Sequence, residues 1–197
     1  GRLGFLAKIK AVEIDNVIKA ITKKKYTISE KTLLSVSYKN KKQENKLGAA
    51  LNELSITRKN TTSLITIETK LNDEYLNTYW ADGLIIATPT GSTGYSLSCG
   101  GPIIMPESKN LVITPIAPHN LNARPLVIPD NTNISLKISG RENEFFVSLD
   151  SKITTLSNKM LILIKKAPYK IKMIQLENEN FLQTLRDKLY WGKDKRN

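Results

Sequence analysis

Six hydroxyls fall within eleven residues at Thr88, Thr90, Ser92, Thr93, Ser96 and Ser98, and Gly91, Gly94, Gly100 and Gly101 run among them. The cluster follows the apolar run Leu84-Ile85-Ile86 and closes on Gly100-Gly101-Pro102. Glycine lets a backbone come close to a ligand. Exposed N–H groups at a turn, or at the start of a helix near Thr93, suit an anion or a nucleotide. The same composition also builds a tight structural turn, and the residues alone leave both open. No Gly-Lys-Ser/Thr follows, so this is not the common phosphate loop, and it does not match Gly-x-Gly-x-x-Gly.

A second constellation is Asn52-Glu53, set between apolar neighbours in Ala-Leu-Asn-Glu-Leu. It is either a solvated pair at an element boundary or a pair that holds a ribose or an amide, because Asn donates and accepts while Glu accepts from hydroxyls. Pro115 to Pro129 holds four prolines in fifteen residues, which rigidifies an extended loop. His119 lies in it and is the single histidine; with no partner in the sequence it reads as loop packing rather than a general base. Cys99 reads as a small buried side chain, and Asp150, at the end of an apolar strand, as a turn former.

A chain of 197 residues suffices for one good core. A single Cys excludes an internal disulfide framework and leads us to expect a cytoplasmic protein. One His and one Cys also argue against zinc. No apolar run approaches the roughly 18–20 residues of a membrane span. The net charge is +12, but 24 of the 30 basic residues are Lys, scattered in short runs with no aromatic stacking motif. That pattern favours a solvated surface, and we expect neither nucleic acid nor membrane as partner.

Residues 13–25 place Ile14, Val17, Ile18 and Ile21 at helical spacing. Short strands are predicted over 32–38, 63–69, 74–80, 83–88, 111–114, 125–128, 134–139, 145–149, 160–164 and 169–174, with a hairpin-like return at Asn72-Asp73. Ile134, Leu136 and Ile138 share one face, as do Tyr169, Ile171 and Met173. A closing helix is capped by Asn178 or Asn180 and striped by Phe181, Leu182, Leu185 and Leu189. The fold class is therefore mainly β, an all-β sandwich-like body with flanking helices. The opening Gly-Arg-Leu-Gly-Phe-Leu lacks a Met and reads as the middle of something, so the helices are expected to belong to an incomplete α/β domain.

Taken together, "GRLGFL" (1–6), "LNE" (51–53), "DGLIIATPTGSTGYSLSCGGP" (82–102), "TPIAPHNLNARPLVIPD" (114–130), "LDSK" (149–152) and "LRDKLYWG" (185–192) resemble the NAD kinase family, in its order and over nearly the whole chain. The 82–102 stretch is the specific one. The resemblance implies transfer of the ATP γ-phosphoryl group to the 2′-hydroxyl of the adenosine ribose of NAD, with Mg²⁺ or another divalent metal. It also implies the NAD kinase/diacylglycerol kinase-like fold: a remnant of the α/β N-terminal domain over 1–28, an all-β NAD-binding domain over 29–176, and a C-terminal helix over 177–197 that packs back on the first domain. A homodimer or homotetramer is implied as well.

By motif, the NAD-binding residues implied are Asn52, Glu53, Asp82, Thr90, Thr93, Gly94, Tyr95, Ser96, Ser98, Ala117 and Lys152. Ala is usual at position 94, so Gly94 is a mild departure. The family's Gly-Gly-Asp-Gly motif is absent from the 197 residues. Its aspartate, the general base, is expected upstream of Gly1. No catalytic residue and no metal ligand is therefore assigned here, and the 197 residues alone are expected to be inactive. Competing readings are a lipid or sphingoid kinase of the same superfamily, a basic nucleic-acid-binding β domain, and a non-catalytic NAD sensor; the Asn52-Glu53 pair favours the dinucleotide.

Overall fold

The computed structural model describes residues 5, 9, 11–40, 43–59, 63–176 and 180–189. In chain order the elements are α1 (Ile14–Thr22), β1 (Tyr26–Lys31), β2 (Leu34–Lys39), β3 (Glu44–Ala50), β4 (Glu53–Arg58), β5 (Ile65–Leu71), β6 (Glu74–Ala81), β7 (Gly83–Ala87), α2 (Tyr95–Ser98), β8 (Asn110–Ile116), β9 (Leu126–Pro129), β10 (Ile134–Ser139), β11 (Glu144–Leu149), β12 (Lys152–Ser157), β13 (Leu161–Lys166), β14 (Ile171–Leu176) and α3 (Phe181–Leu189). They form two compact units, residues 32–170 and residues 1–31 with 171–197.

The larger unit is a sandwich of two six-stranded antiparallel sheets. One runs β3-β2-β13-β10-β5-β6 and the other β12-β11-β4-β7-β8-β9. Period-two burial explains the packing. In β10, Ile134, Leu136 and Ile138 point inward while Lys137 and Ser139 are exposed. The inward residues of both sheets join in one core cluster that includes Val36, Ile67 and Ile162 from the first sheet and Leu54, Ile56, Phe145 and Val147 from the second. β7 is buried along its whole length: Leu84 and Ile86 enter this core, while Ile85 and Ala87 pack on the other face with Val112 and Cys99. The outer face of the second sheet is therefore partly covered, and that cover is the 88–101 segment.

Asn72 and Asp73 make the tight return between β5 and β6. Both have left-handed backbones (φ 49° and 68°), as a type I′ turn requires. In the smaller unit β1 and β14 form a two-stranded antiparallel ribbon. Asn180 caps α3, its side-chain oxygen accepting the Leu182 N–H at 2.8 Å. The Phe181 ring lies 6.5 Å from that of Phe5, centroid to centroid. None of the residues of α1 is buried, and its Ile14, Ile18 and Ile21 are exposed. Among the described residues no helix is long and apolar enough to cross a membrane.

Several sequence expectations shift. The first helix is shorter than 13–25, because Lys24 turns left-handed (φ 55°). Ile171 and Tyr169 are exposed rather than inward, since β14 pairs with β1 alone in a two-stranded ribbon. Leu182 is exposed and Thr184 takes the buried place on α3. β1, β3, β4 and β12 went unread, because half or more of the residues in each are polar or small. Asn178, the first motif apart from Phe5, and residues 190–192 of the last motif lie outside the described residues.

The turn gives a direct test. Asp73→Gly removes the cost of a left-handed β-carbon in the position where I′ turns favour glycine. The expected outcome is a gain of about 0.5 kcal/mol in urea unfolding; a loss of stability would contradict the turn assignment.

Candidate functional site

The site is built where β4 begins and where β7 and β11 end. These three strands are neighbours, with Glu53 opposite Ala87 and Leu54 opposite Leu149. Leu51 and Asn52 form the turn into β4, so the Asn52-Glu53 pair is indeed at an element boundary. It is not loosely solvated. Asp150, on the turn after β11, accepts the N–H of Leu51 on Oδ2 (2.9 Å) and those of Asn52 (2.8 Å) and Glu53 (3.1 Å) on Oδ1. The Asp150 N–H donates back to the Glu53 carbonyl at 3.0 Å. From the other side the Thr88 hydroxyl donates to the Leu51 carbonyl (2.6 Å) and the Thr88 N–H to the Asn52 carbonyl (2.9 Å). All six backbone polar groups of residues 51–53 are thereby paired.

That pairing leaves the side chains for other work. Among the described residues the Asn52 carboxamide has no hydrogen-bond partner, and the buried Oε2 of Glu53 has none either. Burial, and then the negative charge of Asp150, push the Glu53 carboxyl up to about 7. A β-carbon at Gly94 would sit 3.2 Å from Glu53 Oε2, so the loop passes directly over this carboxyl.

The 88–101 segment is a packed turn that leaves Gly94, Tyr95 and Ser98 exposed. Gly91 and Gly101 serve the packing. A β-carbon at Gly91 would lie 2.1 Å from the Asn52 carbonyl, and one at Gly101 would lie 2.2 Å from Ser96 Oγ. Besides Thr93, described below, three hydroxyls are spent internally. Thr88 Oγ1 also accepts the Gly91 N–H (3.2 Å), Ser92 Oγ donates to the Pro89 carbonyl (2.7 Å) and accepts the Ile104 N–H (2.9 Å), and Ser96 Oγ pairs with Thr114 Oγ1 (2.8 Å). The helix expected near Thr93 is a single 3₁₀ turn, Gly91–Thr93, followed by the four residues of α2. It is too short for a macrodipole argument.

The structure brings Asn52, Glu53, Thr90, Thr93, Gly94 and Tyr95 together at this end of the sheet. Thr93 is nearly buried, its hydroxyl donating to the Thr90 carbonyl at 3.3 Å. Ser96 is fully buried. Tyr95, Gly94 and Ser98 are exposed. Lys152 is exposed at the start of β12, two residues past Asp150. Asp82 and Ala117 lie elsewhere. They flank the far ends of β7 and β8, where the Asp82 N–H bonds to the Ile116 carbonyl at 3.0 Å, about 20 Å of strand from Thr88. Asp82 is ion-paired there with Arg58 (3.1 Å), and Ala117 is left-handed (φ 44°).

A row that sequence reasoning missed links the two ends. Glu53, Ser55 and Thr57 alternate with the core residues Leu54 and Ile56, and with Ser148 and Tyr95 they line an open cleft. The Tyr95 phenol is pushed up by burial, then by Cys99 and Asp82. The strict alternation of Glu-Leu-Ser-Ile-Thr-Arg over 53–58 was the available signal. Among the described residues no three His, Cys, Asp or Glu side chains are grouped as a metal site needs.

Fold and site define a two-sheet β domain with a preformed polar site at one end of its strands. Comparison with known proteins narrows this. Residues 51–176 match the model of the ATP-NAD kinase C-terminal domain. The chain is 63% identical over its whole length to the NAD kinase of Flavobacterium psychrophilum, spanning 67% of that protein, and 46% identical to that of Cytophaga hutchinsonii, again spanning 67%. Its fold is similar to that of yeast NADH kinase complexed with NADH (TM-score 0.90, 25% identity), covering 97% of this chain and 58% of the yeast one. It also resembles an NAD kinase from Archaeoglobus fulgidus in complex with ATP (TM-score 0.76, 22% identity), covering 95% and 70%. The chain belongs to the NAD kinase family.

The Glu53 carboxyl gives a signed prediction. Its folded value lies above the 4.5 of the free group, so its ionisation costs the folded state. That contribution is fully kept below about 4.5 and lost as pH rises through about 7. Thermal melts should show Glu53→Gln gaining on the parent protein across this window; parallel curves from pH 4 to 8 would contradict the environment described.

Proposed function

We propose that this chain supplies the NAD-positioning part of an NAD kinase, which transfers the γ-phosphoryl group of ATP to the 2′-hydroxyl of the adenosine ribose of NAD. The observation that carries this reading is the 51–53 turn. Its backbone is fully paired, while the Asn52 carboxamide and Glu53 Oε2 are unspent. A carboxamide beside a carboxyl can hold vicinal ribose hydroxyls, with Asn donating and accepting and Glu accepting, or donating when protonated. Thr90, Thr93, Gly94, Tyr95 and Ser98 form the rim over the dinucleotide. Buried Ser96 holds that rim from beneath. Asp82, Ala117 and Lys152 would meet more distant parts of an extended ligand, with the Glu53-Ser55-Thr57 row between the two ends.

Phosphoryl transfer rests mainly on positioning and on neutralising charge at the phosphates. Here the chain's task is positioning: it holds the acceptor ribose against a fixed turn, and Tyr95 shields the cleft. The general base and the residues that cradle ATP belong to an upstream Gly-Gly-Asp-Gly segment, and the divalent metal neutralises the phosphates when bound. The exposed isoleucines of α1 fit the core of an α/β domain made with that segment. In this reading residues 1–28 are its remnant, 29–176 the β domain, and 177–197 the helix that returns to it. A cytoplasmic homodimer or homotetramer completes the proposal.

Two outcomes are expected. The 197 residues alone should form no NADP from NAD and ATP, whereas the same chain extended upstream through the aspartate motif should; robust turnover by the 197 residues would refute the division of labour. In the extended enzyme, Asn52→Ala should raise KM for NAD by about tenfold or more, the usual effect of losing one or two polar contacts, with little change in KM for ATP.

A further inference from the structure

Asp150 is absent from the residues assigned to NAD, and its geometry explains how it can still govern that site. Both carboxylate oxygens are committed to the N–H groups of residues 51–53. Its own N–H is committed to the Glu53 carbonyl, and its carbonyl accepts the Ser148 hydroxyl at 3.0 Å. Its backbone is left-handed (φ 53°), and its carboxylate lies against the β3–β4 turn. Three of the roughly four acceptor positions of its carboxylate are thereby taken within the protein. Residues 97 to 99 positions apart in sequence are held together by this one side chain.

We propose that Asp150 is a positioning residue for NAD: by accepting the N–H groups of residues 51–53 it fixes Asn52 and Glu53 in their binding geometry. The inference rests on the reading of Asn52 and Glu53 as NAD contacts. It goes further in making affinity for NAD depend on an acidic group whose carboxylate is engaged by backbone N–H groups. Asp150 and Tyr95 are the titratable groups that share the cleft with Glu53. Asp150 is the one named as raising Glu53, after burial. Thr88 grips the same turn from the opposite side through the Leu51 carbonyl and carries no charge. The two residues therefore separate holding from charge.

The test uses steady-state NADP formation by the full-length enzyme, with NAD and ATP varied separately across pH. Asp150→Asn keeps the size but turns an amide NH₂ toward the Leu51 N–H, or toward those of Asn52 and Glu53, and leaves a neutral, weaker acceptor for the rest. It should raise KM for NAD by about tenfold, as loss of a charge-assisted hydrogen bond does, while KM for ATP stays within about twofold. The ionisation of Glu53 in the pH profile of KM for NAD should move to lower pH, because a negative neighbour has gone. Glu53→Gln should erase that limb. Thr88→Val should raise KM for NAD without moving the limb, and Thr88→Ser should restore the parent value. If Asp150→Asn fails to fold, the Thr88 pair decides the positioning part. Melting temperatures that fall while KM for NAD stays unchanged in Asp150→Asn and Thr88→Val would overturn the proposal and leave Asp150 a structural clamp. A parent enzyme that makes no NADP would instead overturn the functional reading.

Discussion

One carboxylate accepting three consecutive backbone N–H groups is the constraint on which the site depends. A turn at the head of a strand ordinarily leaves such groups to water, and buried without partners each would cost about 1–3 kcal/mol. Here Asp150 takes the three N–H groups of residues 51–53, and Thr88 and Asp150 take the three carbonyls. The turn has no backbone freedom left to lose. Ligand contacts by Asn52 and Glu53 then carry a smaller ordering cost, which is what preorganisation means energetically.

The rest follows from fitting a loop onto that turn. Gly91 must be a glycine because the Asn52 carbonyl occupies the place of its side chain. Ser92 ties the loop to Ile104 and Ser96 ties α2 to Thr114, so the loop rests on the sheet through buried hydroxyls. What remains outward is Gly94, Tyr95 and Ser98, over a carboxyl that burial and Asp150 hold near neutrality. The hydroxyl-rich composition thus divides in two. Part of it fastens the loop, and part is available above the cleft.

The sandwich was legible because β2, β5, β7, β8, β10, β11 and β13 carry alternating or continuous apolar runs that only a two-layer core satisfies. The site was legible in part. Asn52-Glu53 and the 88–101 loop stand out by residue type, but type alone does not say that Ser96 is buried or that Asp82 sits at the other end of β7. Asp150 looked like a turn former, and it is one; its reach to residues 51–53 depends on β11 pairing with β4, a register that no local pattern carries. β4 itself was missed because its outward half is Glu53, Ser55 and Thr57, polar for the same reason that it lines the cleft.

Amide hydrogen exchange of the full-length enzyme, with and without NAD, tests the central claim most directly. If the turn is preformed, the amides of Leu51, Asn52 and Glu53 are strongly protected before NAD is added, and the main gain on binding falls on residues 90–98. Unprotected exchange at residues 51–53 in the free enzyme, with protection appearing only once NAD binds, would show that the ligand builds the turn and would contradict the account.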